Sequence, residues 1–260
     1  MSGGFRLHHP IAIVAGMKLA VIADIHGNLL ALDAVLADIA TRGVDLTVNL
    51  GDIVSGPLLP SETADRLMPL GLPTIRGNHE RQLLTHAFER MGPSDRFAVQ
   101  SLRADQTDWL ASLPETLRLD GGVLLVHGTP ASDLDYFLET VDATGPRPAT
   151  AAEIEERAGT TDARLILCGH THMPRIVRVA DGRLIVNPGS VGVQAYSDEE
   201  PVPHRVETGT PHARYALVTL GPEDIAVDLI AVPYDWEAAA RTAEANGRPD
   251  WARALSTGRT

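Results

Sequence analysis

Basic residues and cysteine are both scarce in this chain. Its 260 residues include 22 lysines and arginines against 34 aspartates and glutamates, which gives a formal net charge of -12 at pH 7. Surfaces that bind nucleic acid or dock on anionic membranes need clusters of basic residues. We therefore expect no nucleic-acid surface and no membrane-binding surface. No apolar run in the sequence approaches the roughly 20 residues of a membrane-spanning helix.

The single cysteine excludes an intrachain disulfide, and this composition fits a reducing compartment. We expect a cytoplasmic location on that ground. Cys168 follows the apolar residues 165–167, which predicts a small buried side chain rather than a metal ligand or a reactive thiol.

The first residues differ in character from the rest of the chain. Arg6 and the apolar stretch 11–16 weakly resemble a signal peptide, but Lys18 interrupts that stretch. Cleavage near Ala23 would also remove the strand expected before Asp24. We predict an N-terminal extension over residues 1–16 and a single domain over residues 17–260. Translation starting at Met1 and translation starting at Met17 both remain open alternatives.

Residues 17–80 alternate between predicted strands and helices. Apolar runs predict buried strands at 18–23, 46–50 and 73–76, and helical spacing of apolar residues predicts a helix over 29–41. Ser61 is predicted to cap a short helix that ends before Pro69. This rhythm indicates parallel strand pairing with right-handed crossovers. Ligands gather at the carboxyl ends of the strands in such sheets.

The second half of the chain is predicted to contain more hairpins. Turn residues separate three pairs of strand-like segments: 116–119 with 123–127, 175–179 with 183–186, and 215–220 with 225–232. Helices are expected over 150–157, 235–245 and 249–255, and long surface loops over 142–150 and 197–212. Together these elements predict an α/β fold with two packed sheets and outer helices.

Five short polar blocks follow predicted strands. They are Asp24-Ile25-His26, Gly51-Asp52, Gly77-Asn78-His79-Glu80, His127 and Gly169-His170-Thr171-His172. Their imidazoles, carboxylates and one amide oxygen form the mixed ligand set that suits Zn, Mn or Fe. In an extended segment, His170 and His172 would face the same side, roughly 7 Å apart. Each could then bind one of two metals about 3.5–4 Å apart, and the ordered set predicts a two-metal hydrolase.

The order of these blocks resembles the signature of the calcineurin-like metallophosphoesterases, which reads D-x-H, G-D, G-N-H-[DE], H and G-H-x-H. The resemblance extends from Met17 over most of the chain. Asn187-Pro188-Gly189-Ser190 and Val232-Pro233-Tyr234-Asp235 are similar to the small bacterial and archaeal, phosphodiesterase-type branch. The resemblance implies a four-layer α-β-β-α fold, a β-sandwich of two sheets flanked by helices. That fold agrees with the elements predicted above.

The resemblance also implies a role for each residue of the blocks. One metal would be held by Asp24, His26 and His172, and the other by Asn78, His127 and His170, with Asp52 bridging the two. The implied nucleophile is a metal-bridging hydroxide that attacks phosphorus. His79 would stabilise the transition state or protonate the leaving oxygen. We expect two divalent metal ions, with manganese favoured and iron or zinc as alternatives.

Three further side chains are candidates for substrate contact, each with a structural alternative. Asn28 either caps the first helix or contacts a phosphate at its N-terminus. Arg76 either forms a salt bridge or reaches a phosphate. Tyr136 either packs on its own loop or stacks on an aromatic group of the substrate. Glu80 is expected to cap the helix that follows it or to pair with a neighbour.

The residues after Gly51-Asp52 bear on the substrate. Protein Ser/Thr phosphatases of the superfamily carry Asp-Arg-Gly shortly after this block, whereas this chain continues with residues 53–56, Ile-Val-Ser-Gly. Two divalent ions, two carboxylates and a hydroxide would give the centre a net charge of about +1, which suits a singly charged diester. We therefore favour small-molecule phosphodiesters, nucleotide types included. A phosphomonoesterase, a nucleotide pyrophosphohydrolase and a non-catalytic partner-binding scaffold are the alternatives; no oligomeric state is predicted.

Overall fold

The computed structural model describes residue 14 and residues 16–260, so nearly all of the predicted extension 1–16 lies outside the described residues. The strands are β1 Met17–Ile22, β2 Leu46–Asn49, β3 Leu117–Leu119, β4 Val123–Leu125, β5 Glu139–Asp142, β6 Gly145–Pro148, β7 Leu165–Leu167, β8 Arg175–Arg178, β9 Leu184–Asn187, β10 Ala195–Asp198, β11 His204–Glu207, β12 Ala213–Leu220 and β13 Ile225–Val232. The helices are α1 Leu29–Ala40, α2 Pro60–Leu67, α3 Asn78–Thr85, α4 Pro93–Ser101, α5 Ala104–Ser112, α6 Ala151–Ala158, α7 Trp236–Ala245 and α8 Pro249–Thr257, with short 3-10 turns at Met68–Leu70 and Phe88–Arg90. Within this described part of the chain, no helix combines the length and the apolar character needed to span a membrane.

Two sheets form the centre of the molecule. The first has the strand order β13-β12-β1-β2, and the second has the order β3-β4-β7-β9-β8. Strand β1 pairs in parallel with β2, and β4 and β9 both pair in parallel with β7. The parallel pairing predicted for residues 17–80 is therefore confirmed for β1 and β2, and the second sheet contains parallel pairs as well. The three hairpins predicted from turn residues are also present.

Alternation along β1 explains how the layers stack. Ala20 and Ile22 pack in one cluster with the apolar face of α1, whereas Leu19 and Val21 point the other way, into a cluster shared with the second sheet. All four side chains are fully buried. The far face of the second sheet packs against α6 through Ile154. The result is the predicted α-β-β-α sandwich.

Two local predictions in the first half were wrong. Residues 73–76 form only a single parallel bridge, between Asn49 and Thr74, because the Arg76 N–H leaves the sheet and donates to Pro114. Helix α2 begins at Pro60 without a side-chain cap, and Ser61 lies inside its first turn. Proline fits that first position because its fixed φ is already helical and its missing N–H has no partner to lose.

The predicted long loops over 142–150 and 197–212 were also wrong in part, because both contain hairpins. Strand β5 pairs with β6, and β10 pairs with β11. These strands are polar or contain proline, so they lack the apolar alternation that identifies a strand in sequence. Proline is tolerated in β6 because a two-stranded ribbon has an edge that needs no donor. Cys168, by contrast, is buried as predicted.

Candidate metal centre

The five polar blocks converge on one place although they are far apart in sequence. The His26 N–H donates to the Asp52 carbonyl at 3.0 Å, and the Gly169 N–H donates to the His127 carbonyl at 2.7 Å. The His170 N–H contacts the Asp24 carboxylate at 3.1 Å. These bonds tie the loops after β1, β2, β4 and β7 together, so both halves of the chain contribute to a single site.

The backbone of this site is strained at the predicted ligands. Among the described residues other than glycine, positive φ angles between 51° and 70° occur only at Asp24, His26, Asp52, His170 and His172. L-residues rarely adopt this region, and each instance costs about 1–3 kcal/mol. The prediction of an extended segment at residues 170–172 was therefore wrong. The backbone bends there, and the two imidazoles enter different clusters. Because the strain is limited to these five residues, we infer that the loop conformations serve to position their side chains.

Gly77 allows the third block to approach the second. A Cβ atom at this position would collide with the carboxylate and the backbone nitrogen of Asp52. The His79 N–H donates to that same carboxylate at 3.0 Å. Only glycine permits this close packing, which brings Asn78 and His79 to the site.

The first cluster consists of Asp24, His26 and His172, whose ligand atoms all lie within 4.8 Å of one another. The Nε2 atoms of His26 and His172 are 3.1 Å apart. Each ring donates its Nδ1–H to a backbone carbonyl, that of Ser55 or that of Val193. Two neutral imidazoles held in this way direct lone pairs at each other, and that arrangement requires a cation between them.

A proton is poorly suited to be that cation. Burial lowers the pKa of His26 to about 4, and burial together with His26 lowers the pKa of His172 as well. Both rings therefore stay neutral near pH 7, which is the form that binds a metal ion. The donor set fits a divalent metal.

The second cluster consists of Asp52, His127 and His170, again with ligand atoms within 4.8 Å. The His127 Nδ1–H donates to the Leu50 carbonyl, which turns Nε2 toward Asp52 Oδ2 at 3.1 Å and Asn78 Oδ1 at 3.0 Å. His170 is oriented in the opposite sense, with Nε2 bound to the Leu134 carbonyl and Nδ1 left for the cluster. The structure thus brings together residues that the resemblance had assigned to one metal, with Asp52 as the bridge, and their role as ligands stays a prediction.

The two carboxylates of the site are both buried but differ in pKa. Asp24 and Asp52 are 0% and 2% exposed. Burial raises the pKa of Asp24 to about 8, with the neighbouring Asp52 charge adding to it. Burial also opposes ionisation of Asp52, but His127 and His79 outweigh it and lower the pKa of Asp52. Cations bound here would keep both carboxylates ionised.

Glu80 joins the second and third blocks. It is completely buried, and its Oε2 accepts the N–H groups of Asp52 at 2.8 Å and Gly77 at 2.9 Å. Its Oε1 accepts the Ile53 N–H at 2.7 Å. The expected capping of α3 is confirmed through Gly77, and the same carboxylate also fixes the loop that carries Asp52.

His79 stands beside the two clusters with its own partner. Its Nδ1 lies 2.8 Å from Oδ1 of Asp95, a side chain that is 3% exposed and also accepts the Ser55 hydroxyl. The His79 ring is 30% exposed and lies 5.4 Å from that of His26. Partial burial lowers the pKa of His79, but Asp52 and Asp95 outweigh it and raise the pKa to about 9. No sequence pattern indicated Asp95, which resembles any acidic residue in the first turn of a helix.

A cleft of about 1080 Å³ opens over these residues. Its floor includes His26, Asp52, His79, His170 and His172, and its walls include Tyr136, Tyr196, Arg248, Trp251 and the acidic residues 198–200. Tyr136 is the predicted substrate contact that lies in this cleft. Its hydroxyl contacts the Tyr196 hydroxyl at 2.6 Å and Nε2 of His204 at 3.0 Å.

Asn28 and Arg76 are not among the described residues that line the cleft. Asn28 is 1% exposed, with Oδ1 accepting the Ala31 N–H at the start of α1 and Nδ2 donating to the Gly192 carbonyl. Arg76 forms a salt bridge with Glu115 beside a separate cavity of about 270 Å³. Asn28 therefore caps α1 and Arg76 forms a salt bridge, which are the structural alternatives to the predicted substrate contacts.

Comparison with known proteins places this fold and this site in a family. Residues 17–208 match the model of the calcineurin-like phosphoesterase superfamily domain. The chain belongs to this superfamily, as its five polar blocks had predicted. Membership supports a phosphoester hydrolase, and the two clusters described above are candidate sites for divalent metals.

Individual relatives agree with this assignment. The chain is 26% identical to the uncharacterized protein MJ0912 of Methanocaldococcus jannaschii, over 90% of this chain and 94% of that protein. It is similar to the crystal structure of a metallophosphoesterase from Sphaerobacter thermophilus, with a TM-score of 0.72, 26% identity and coverage of 94% and 99% of the two chains. A putative diadenosine tetraphosphatase shares the fold at a TM-score of 0.51 and 18% identity, over 82% and 94% of the chains.

Replacing Glu80 with glutamine should lower the free energy of unfolding by about 1.5–3 kcal/mol, the usual contribution of a hydrogen bond to a charged group. The new amide would turn N–H donors toward backbone N–H donors. Denaturant unfolding of the metal-free protein should show a lower midpoint at unchanged m-value. Glu62→Gln, in the exposed first turn of α2, is the matched control. Equal midpoints for the two variants would contradict the role given to Glu80.

Proposed function

We propose that this chain is a dinuclear-metal phosphodiesterase that hydrolyses small-molecule diesters. The observation that carries the proposal is the pair of buried ligand clusters, in the first of which the Nε2 atoms of His26 and His172 lie 3.1 Å apart with both rings neutral near pH 7. Family membership supports phosphoester hydrolysis. The mixed nitrogen and oxygen donors suit manganese, with iron and zinc as alternatives.

The residues divide into two ligand sets joined by one carboxylate. Asp24, His26 and His172 would hold one metal, and Asn78, His127 and His170 would hold the other, with Asp52 between them. When bound, the metals would supply an activated water and neutralise charge on the phosphate. The carbonyl partners of the four imidazoles hold each ring in the one orientation that suits this task.

His79 would assist the leaving group. Asp95 accepts the Nδ1–H of the imidazole, which fixes the ring and leaves Nε2, at the opposite edge, for the substrate. From there Nε2 can hold a proton against the leaving oxygen as the phosphorus–oxygen bond breaks. The Ser55 hydroxyl and the burial of Asp95 keep that carboxylate in place.

The charge at the rim of the cleft favours a diester. Asp135 and residues 198–200, Asp-Glu-Glu, are exposed and line the cleft. These carboxylates would repel a phosphomonoester or a polyphosphate, which carries two or more negative charges, more strongly than a singly charged diester. The alternatives of a monoesterase and a pyrophosphohydrolase are disfavoured on this ground.

Metal content tests the two-cluster assignment. Protein stripped with a chelator and dialysed against Mn should bind two ions per chain, one for each cluster, as measured by mass spectrometry of the metals. His172→Ala and His127→Ala should each retain about one ion, because each removes a ligand from a different cluster. His86→Ala, outside the cleft, should bind like the wild type. Full occupancy in both ligand variants would contradict the assignment.

Substrate preference tests the diesterase proposal. With Mn present, kcat/KM should be at least about tenfold higher for bis(p-nitrophenyl) phosphate than for p-nitrophenyl phosphate, a difference of about 1.4 kcal/mol. Changing the three acidic residues 198–200 to Asn-Gln-Gln should narrow that ratio. A preference for the monoester would overturn the diesterase proposal, and no turnover of either ester would overturn the enzymatic one.

The role of His79 is tested by separating metal binding from turnover. His79→Ala should retain its metal content but lose about 10²- to 10⁴-fold in kcat, the usual range for general acid–base groups. Asp95→Asn should lower kcat less, because the ring loses its orientation but not its nitrogen. Asp108→Asn, exposed on α5, is the control and should behave as the wild type. Unchanged kcat in His79→Ala would remove the residue from the mechanism.

A further inference from the structure

One wall of the cleft comes from the end of the chain. Arg248 and Trp251, at the start of α8, both line the cleft. They lie beyond residue 208, where the match to the superfamily model ends. The Trp251 ring lies edge to face with His26 at a centroid distance of 5.9 Å. A substituent on a phosphate bound over the histidines would therefore reach this wall.

The wall consists of two flat groups held together. The Arg248 guanidinium lies 5.6 Å from the centroid of the Trp251 ring. It is fixed by the Ser94 hydroxyl at 3.0 Å and by the Asp250 carboxylate at 2.6 Å. Both the indole and the guanidinium plane are surfaces on which aromatic rings stack. The pair thus offers a rigid site for a planar group at low cost in conformational entropy.

The size and composition of the cleft also indicate an organic group larger than a phosphate. Its volume of about 1080 Å³ lies slightly above the roughly 300–1,000 Å³ typical of small-molecule sites. Aromatic residues make up only 4% of the chain, yet Tyr136, Tyr196 and Trp251 all line this cleft. The hydroxyls of Tyr136 and Tyr196 contact each other, which ties these two rings together, whereas Trp251 lies beside Arg248.

Arg248 differs from Arg157, which also lines the cleft. Arg157 donates to the backbone carbonyls of Phe137 and Glu139 and to the Thr140 hydroxyl. These bonds stabilise the segment 137–140, so its role is structural. The Arg248 guanidinium is held instead by two side chains, Ser94 in the cleft and the neighbouring Asp250, which fix it at the surface of the cleft. Its charge and its plane are therefore both available to substrate.

We propose that Arg248 and Trp251 form a binding wall for a nucleoside-type aromatic group, so that the diesters hydrolysed are nucleotide esters. This inference rests on the proposed phosphodiesterase function and adds the substrate class. The base stacks on the indole–guanidinium pair while the phosphate lies over the histidine floor. The wall determines specificity and takes no part in bond breaking.

Two esters that release the same chromophore test this wall. Thymidine 5′-(p-nitrophenyl phosphate) and ethyl p-nitrophenyl phosphate differ in the nucleoside alone, and the wild type should prefer the first in kcat/KM. In Trp251→Leu, which keeps apolar bulk, that preference should fall by about 5- to 150-fold, the factor that corresponds to one stacked base. Trp251→Phe should retain most of it. Trp236→Ala, in α7 and outside the cleft, should leave the preference unchanged.

Binding without turnover separates this inference from the proposed function. Calorimetric titration of Mn-loaded protein with thymidine 5′-monophosphate should give a Kd that rises in Trp251→Leu by a similar factor and stays near the wild-type value in Trp251→Phe. Circular dichroism verifies that each variant is folded. Equal Kd values in wild type and Trp251→Leu, or no preference for the nucleoside ester in the wild type, would overturn the wall. Loss of all hydrolysis with nucleotide binding intact would overturn the phosphodiesterase alone.

Discussion

The site depends on one electrostatic constraint, the convergence of two buried carboxylates and four imidazoles on one small volume. Burial makes Asp24 hard to ionise and keeps His26 and His172 neutral, so the first cluster has no protein cation of its own. A divalent metal is the group that satisfies these donors. The strained loops, the close-packed glycine at position 77 and the buried Glu80 all serve to hold this arrangement in place.

The sandwich supplies the rigidity that the constraint requires. Polar blocks follow the carboxyl ends of strands in both sheets, and the strands are fixed by apolar clusters on both faces. Five left-handed residues at about 1–3 kcal/mol each are tolerated only where the surrounding structure determines them. The polar blocks come directly after buried strands, so the hydrogen-bonded sheets restrain their backbone conformation.

Much of the fold and of the metal centre could be predicted from the sequence because the signals are local. Apolar runs identify β1 and β2, turn residues identify the β12–β13 hairpin, and the ordered polar blocks identify the residues of the two clusters. The features that escaped prediction are tertiary. Asp95 meets His79, and Trp251 meets His26, only because separate helices pack around the cleft. Strands β10 and β11 lack apolar alternation because they lie outside both sheets.

The four imidazoles of the clusters are all oriented by main-chain carbonyls, those of Leu50, Ser55, Leu134 and Val193. A carbonyl is present whatever side chain the residue carries, so the orientation of each ring does not depend on the identity of its anchor. Evolution can therefore change the surroundings of the site freely while the coordination geometry persists. A chain could therefore diverge as far as the 26% identity seen with its relatives without losing the groups that orient these four rings.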